Sequence, residues 1–263
     1  MPEPYWSDDT VTLYVGDMRE VLPALDVAAD LVLADPPYGE TSLKWDRWPD
    51  GWVKVAAEVS RSLWCFGSMR MFLLHRDEFE AAGWKLSQDI VWEKHNGSGF
   101  QKDRFKRVHE TATHWYRGQW RDLHTSVPRV PSTRPRGGDV LTGRQAAHMG
   151  AIGTRSYVDD GMRLMRTVIP VRSMHHNASH PTEKPIGILT PLLEYACPPA
   201  GLVVDPFAGS GSTLEAARLS GRRAIGIEAD EKYAEKAARR LSQAPLIGVA
   251  APTRDEEETR GNA

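Results

Sequence analysis

The chain has no apolar run approaching the roughly 20 residues that cross a bilayer. Its opening, Met1-Pro2-Glu3-Pro4, shows no basic-then-apolar leader, so a cytoplasmic protein is expected. Cysteine is scarce: Cys65 and Cys197 are the only two in 263 residues, each in apolar company and neither in a Cys-x-x-Cys pair. That excludes a disulfide scaffold and predicts reduced core thiols. A usable metal-ligand pattern is also lacking, since His175, His176 and His180 fit no helical spacing and have no convincing fourth ligand, and no metal is expected. Strong net charge is missing too, at −2 overall, but the balance is uneven. Between Lys94 and Arg172 stand 15 Lys and Arg against 6 Asp and Glu, which leaves 18 basic and 29 acidic residues elsewhere. A basic region on an acidic body points to a polyanion bound at one place. What is present in quantity is apolar residue, at 41%, ample for the core of a chain of this length.

One stretch organises the chain. Leu202-Val203-Val204 suits a strand covered on both faces, and it runs through Asp205-Pro206-Phe207-Ala208 into Gly209-Ser210-Gly211 and a helix start at Ser212-Thr213. Gly209 and Gly211 remove the Cβ atoms that would hold a ligand away from the backbone. The helix stops at Gly221, and Arg223 to Glu228 follows as a second apolar strand ending in an acid. This is a βαβ unit with a carboxylate placed for ribose hydroxyls. It departs from a dinucleotide fingerprint, which wants a third small residue where Leu214 stands, and from a P-loop, which wants Lys-Ser/Thr where Ser212-Thr213 stand. The plain alternative is that the glycines serve only close helix–sheet packing.

Earlier in the chain, Val11 to Asp17 alternates and then turns, which puts Asp17 at a strand C-terminus, where doubly wound sheets bind ligands; a helix N-cap explains it equally well. Asp30 to Ala34 is a second buried strand, and it leads directly into Asp35-Pro36-Pro37-Tyr38-Gly39. Two prolines fix φ and donate no hydrogen bond, so the segment is a rigid extended turn with outward carbonyls. The Asp35 carboxylate, the Pro36 carbonyl and the Tyr38 face suit a planar ring bearing an exocyclic NH2 group. An ordinary Pro-Pro loop would explain the prolines but neither Tyr38 nor the strand-end position. Glu40 to Gly51, with Trp45 and Trp48, reads as a loop over the site mouth or a lid. Helix 52–62, strand 63–67, helix 70–82 and strand 87–92 continue the alternation. Residues 110–116 are expected to pair with 87–92 as an antiparallel hairpin at one end. Helix 186–196 precedes the glycine-turn strand, and Asp230 is placed to cap a helix over 231–241. The expected architecture is therefore α/β, a doubly wound and mostly parallel sheet in a single domain.

Between these elements Lys102, Arg104, Lys106, Arg107, Arg117, Arg121, Arg129, Arg134, Arg136, Arg144 and Arg155 alternate with Trp115, Tyr116, Trp120, Gly and Pro. Arginine with aromatics suits phosphate contacts and base stacking, whereas a merely solvated loop would favour lysine. Residues 119–175 have little periodicity and read as an insertion with parts that order on ligand binding; the tail over 252–263 is expected to be disordered.

In their order, Asp-Pro-Pro-Tyr at 35–38, Thr-Glu-Lys-Pro at 182–185 and Phe-Ala-Gly-Ser-Gly-Ser-Thr at 207–213 resemble the β-class DNA amino-methyltransferases. The resemblance covers roughly residues 10 to 242. It implies a Rossmann-like sheet that binds S-adenosylmethionine and methylates adenine N6 or cytosine N4 in double-stranded DNA, within restriction-modification. By position, Asp205, Phe207, Gly209, Gly211 and Thr213 match the cofactor loop and Glu228 the ribose acid. Asp17 matches the acid near the cofactor's adenine, Thr182 and Lys184 a third cofactor segment, and Asp35, Pro36, Pro37 and Tyr38 the catalytic tetrad. Lys102, Arg104, Lys106, Arg107, Arg121, Arg134 and Arg136 become the expected DNA contacts, and 119–175 the target-recognition region. Asp at the first tetrad position leans toward adenine. Ser212 before Thr213 departs from the family pattern and leaves the role of each hydroxyl open. Carbon methylation at cytosine C5 would need a cysteine after proline, which neither Cys65 nor Cys197 provides. A homodimer is allowed for, and nothing in the sequence speaks to a partnering nuclease.

Overall fold

The computed structural model describes residues 2–98, 102–132, 140–142, 156–172 and 183–243. Thr182, Arg134, Arg136, Arg144, Arg155, the three histidines at 175, 176 and 180, the tail from 252 and parts of the 119–175 stretch lie outside them.

The first half of the chain runs β1 (Trp6–Ser7), β2 (Val11–Val15), α1 (Met18–Ala24), β3 (Leu31–Ala34), α2 (Trp52–Val59), β4 (Ser62–Gly67), α3 (Met69–Ala81), β5 (Lys85–Ser98) and β6 (Arg107–Tyr116). Short strands follow: β7 (Arg129–Pro131), β8 (Val140–Thr142), β9 (Ser156–Val158), β10 (Met162–Leu164) and β11 (Val168–Pro170). The chain then returns to long elements, α4 (Ile186–Ala196), β12 (Leu202–Asp205), α5 (Ser212–Leu219), β13 (Arg223–Glu228) and α6 (Glu231–Ser242). Among the described residues no helix is long and apolar enough to cross a membrane.

Among the described residues, nine strands form one sheet in the order β1-β2-β13-β12-β3-β4-β6-β5-β11. The block from β2 to β4 is parallel throughout. Strand alternation sends neighbouring residues to opposite faces. Leu31 and Leu33 join α4, α5 and α6 on one face, while Val32 and Ala34 join α1, α2 and α3 on the other. The sheet is thus covered on both sides, which is why β3 and β4 are buried at every position.

The expected hairpin exists as β5 and β6, toward one end of the sheet. β6 lies between β4 and β5, antiparallel to both, because Thr111 to Trp115 is buried along its whole run and so takes an inner position. β5 is not the edge either, since β11 adds to it in parallel. β11 falls inside the 119–175 stretch, so the main sheet takes up the end of that stretch; three residues are too few to show a period. β7 pairs with β10, and β8 with β9, as separate two-stranded pieces.

The arrangement that matters for chemistry is at the centre. β12 and β3 are adjacent and parallel, yet the chain leaves β12 toward β13 and β3 toward β4, in opposite directions along the sheet. The carboxyl ends of such a strand pair open a crevice.

Candidate active site

On the β12 side of the crevice the strand ends in Asp205, which is 3% exposed. Its carboxylate accepts the Phe207 N–H at 3.0 Å. Burial pushes Asp205 up to about 7, against the pull of the Thr213 hydroxyl and the Phe207 N–H, and the charges of Asp35 and Glu228 push the same way as burial. Gly209 and Gly211 both take positive φ, 52° and 79°, as the turn requires. Gly211 is the N-cap of α5 with no side-chain cap, and Ser212 and Thr213 in the first turn of that helix line the crevice. The departure at Ser212-Thr213 now has a structural account. Thr213 serves Asp205, while the Ser212 hydroxyl is taken by Arg240 at 2.7 Å, and Arg240 also pairs with Glu183 and Glu215.

Glu228, at the end of β13, accepts the Gly209 N–H at 2.8 Å and the Asp230 N–H at 2.9 Å. Burial raises its carboxyl, and those two backbone donors offset part of the rise. Asp230 caps α6 through the Lys232 N–H at 2.9 Å. Asp17 is a helix N-cap that also lines the crevice. It caps α1 through the Arg19 N–H at 2.9 Å and faces the crevice, where its carboxylate holds the Arg19 guanidinium at 2.5 Å.

On the β3 side, the Tyr38 hydroxyl donates to Asp35 Oδ1 at 2.8 Å and the Lys184 Nζ donates to Asp35 Oδ2 at 2.5 Å. Lys184 lies in the run matched to a third cofactor segment, but its ammonium sits on the tetrad carboxylate. It is 7% exposed and stands 3.4 Å from Glu110, which in turn pairs with Lys94. Opposite charges thus alternate along Asp35, Lys184, Glu110 and Lys94. Burial works against the Lys184 cation, and Asp35 and Glu110 outweigh it, holding the ammonium above the usual lysine range. Burial likewise works against the Glu110 anion, and Lys184 and Lys94 hold it below the usual carboxylate range. Burial, then the Asp35 charge, push the Tyr38 phenol well up, so it stays a neutral donor.

The loop after the tetrad is built around Asp46, which is buried and accepts the N–H groups of Gly39 at 2.8 Å, Glu40 at 3.0 Å and Thr41 at 2.7 Å. Trp48 stacks on His75 with ring centres 3.8 Å apart and donates its indole N–H to Glu78. Trp45, Arg47 and Pro49 reach the crevice, so this loop covers its mouth. Sequence reasoning passed over Asp46, which accepts N–H groups from residues that precede it, a pattern without the local signature of an Asx turn.

These parts line one cavity of about 410 Å³, which contains Asp17, Asp35, Lys184, Asp205 and Glu228 together with Pro36, Phe207 and Tyr233. Of the basic residues singled out in the sequence, Lys102, Arg104, Lys106 and Arg107 are exposed around the β5–β6 connection, and Arg121 is exposed in a turn over Trp120–Asp122. Arg129 is held by Asp160 at 2.6 Å and has a structural partner. Arg134, Arg136 and Thr182 lie outside the described residues. Cys65 and Cys197 are buried free thiols, and among the described residues no group of His, Cys, Asp and Glu is arranged to hold a metal.

Comparison with known proteins agrees with this picture. A family model described as DNA methylase matches residues 29–239. The type II methyltransferase M2.DpnII of Streptococcus pneumoniae is 25% identical over 273 aligned positions, covering 92% of this chain and 93% of that protein. YubD of Escherichia coli strain K12 is 54% identical over 66 residues, 25% of this chain and 29% of that protein's length. In fold, the structure described as the M1.HpyAVI–SAM complex superposes with a TM-score of 0.61 at 20% identity, covering 88% of this chain and all of that one (100%). The structure described as PvuII DNA methyltransferase (cytosine-N4-specific) does so with 0.63 at 16% identity, covering 98% of this chain and 93% of that one. With the family model spanning most of its length, the chain belongs to the DNA methylase family of N6- and N4-type amino-methyltransferases.

Proposed function

We propose that the protein transfers the methyl group of S-adenosylmethionine to the exocyclic N6 amine of an adenine flipped out of duplex DNA. The observation that carries this reading is that the glycine turn of β12 and the acceptor array after β3 open into one cavity at the sheet's switch point. The residues suit the cofactor. Asp17, Asp205 and Glu228 line the cavity with carboxyl groups that fit hydroxyls and cationic centres, and Phe207 and Tyr233 offer ring faces. Gly209 leaves the turn bare toward the cavity, Gly211 lets α5 approach α6, and Thr213 fixes Asp205. Bound there, S-adenosylmethionine would supply an electrophilic methyl group on a sulfonium.

The tetrad deals with the other reactant. An aromatic amine is a poor nucleophile because its lone pair is delocalised into the ring. Accepting its N–H groups at the Asp35 carboxylate and the Pro36 carbonyl favours a pyramidal nitrogen with a localised pair. Lys184 and the Tyr38 hydroxyl hold the carboxylate in place, and each of its oxygens keeps a lone pair for the amine. The nitrogen that gains a methyl group loses one N–H proton, for which Asp35 is the adjacent base. The target cannot be reached inside a helix, so the base leaves the stack and the Tyr38 ring receives it. Lys102, Arg104, Lys106, Arg107 and Arg121 are assigned to the DNA backbone, and the 119–175 stretch, up to its return as β11, to target recognition.

Cytosine N4 is the second reading, favoured by the fold likeness to a protein described as cytosine-N4-specific. Nucleoside mass spectrometry after incubation with cofactor and mixed-sequence duplex decides between them. N6-methyladenine is expected, N4-methylcytosine alone would reverse the base assignment, and no methylated base in DNA or RNA would sink the enzyme reading.

A further inference from the structure

Phe105 is 102% exposed, a phenyl ring standing wholly in water. Its sequence neighbours are cationic. Arg104 and Lys106 flank it, Lys102 and Arg107 lie just beyond, and all four are exposed; Asp103, paired with Arg104 at 2.9 Å, offsets one of the four charges. An apolar ring ringed by like charge is a poor seat for a neutral protein surface and a good one for a polyanion with an apolar interior.

The fold places this ring at the site. β4 ends at Gly67, opposite Thr111 of β6. Residues Arg107 to Glu110 therefore run on past the carboxyl edge of the parallel block, paired only with β5, and overhang it by about 13 Å. The overhang rises on the side where the crevice opens. At its foot Tyr38, Lys94, Arg107, His109 and Glu110 line a second cavity of about 160 Å³. From Arg107 to Phe105 is at most about 7 Å of chain.

We propose that Phe105 is the wedge that enters the duplex beside the target base and fills the place the base vacates, with the flanking cations on adjacent phosphates. The inference rests on the base-flipping reading above. A base that swings out leaves a gap in the stack, and an apolar side chain inserted between base steps closes it. A phenyl face stacks on any base, so this role does not depend on the recognition sequence.

The test compares the full-length protein with Phe105→Ala and Phe105→Trp, measuring methyl transfer to mixed-sequence duplex and to the same DNA as denatured single strands. Phe105→Ala is expected to slow transfer to duplex by about 10- to 100-fold, the range spanned by stacking one base on one ring. Transfer to single strands, which have no stack to fill, is expected to stay within about twofold, and Phe105→Trp to keep the duplex rate. Should single strands be no substrate even for the wild type, the duplex rates of the two variants decide. The wedge is overturned if Phe105→Ala keeps its duplex rate, if Phe105→Trp is as slow as Phe105→Ala, or if both substrates slow together. Failure of the wild type on every DNA would instead count against the proposed function. The ring is outside the core, so equal melting temperatures should accompany every outcome.

Discussion

Asp35 already carries two partners, and the chemistry proposed for it asks for a third. Asp35→Ala is expected to lower single-turnover methylation by about 10²–10³ or more, the usual result of losing a preorganised transition-state hydrogen bond. It should change S-adenosylmethionine affinity far less in a calorimetric titration, because cofactor contacts are assigned to Asp17, Asp205 and Glu228. Asp35→Asn, which keeps the shape beside Lys184 but removes the charge, separates loss of the carboxylate from loss of side-chain volume. Asp205 makes a pH prediction. Its folded value, about 7, lies above the ordinary 3.8, so the folded state holds the extra proton between those values. The group then contributes stability at low pH that is lost as pH rises from about 4 to about 7, by no more than about 4 kcal/mol. Melting curves of the wild type and Asp205→Asn at pH 5 and pH 8 check this: the variant should gain on the wild type at the higher pH, and parallel curves would contradict it. At this scale the sequence was readable where chemistry is local. Asp35 and Tyr38 are three residues apart and their partnership follows from the turn, whereas Lys184 meets Asp35 across 149 positions with no local sign of it.

The elements were legible wherever a buried run was long. β3, β12 and β13 and the helices α4 and α5 follow from continuous apolar stretches and glycine stops. β11 and the inner place of β6 do not, because strand order depends on which edges remain open and not on local pattern. The turn into α5 allows a sharper test. At Gly211, φ is +79° and an added Cβ would come within 3.0 Å of the Ala237 Cβ on α6, while at Gly221, with φ of +71°, it would meet nothing within 4 Å. Gly221→Ala is expected to cost about 1–2 kcal/mol for the left-handed backbone alone. Gly211→Ala should cost more, since α6 must also give way, and urea unfolding of the two variants measures the difference. Equal losses would show that the approach of α5 and α6 is not tight.

For the whole molecule the sequence showed where charge gathers, and the structure narrows which part of it is available. Arg129, Arg163 and Arg104 are engaged by Asp160, Asp159 and Asp103, which leaves Lys102, Lys106 and Arg107 as the DNA contacts to test first among the described residues. Replacing Lys102, Lys106 or Arg107 singly with Ala should flatten the plot of log affinity against log salt by about one unit for each phosphate no longer neutralised. An unchanged slope would remove that residue from the interface. The switch-point crevice also has a history within each molecule. Leu202 donates its N–H to the Asp30 carboxylate across 172 positions, at the amino ends of β12 and β3, so the strand pair that carries the site closes only after most of the chain has been made. Until β12 emerges from the ribosome, β3 has an open edge of unpaired N–H and C=O groups beside the nascent Asp35 turn, and such edges template association with other chains. A fragment ending at residue 200 should therefore collect in the insoluble fraction on expression, where the full chain stays in solution. The two strands that carry the proposed site are made far apart in time, and premature termination is expected to yield an aggregation seed instead of half a site.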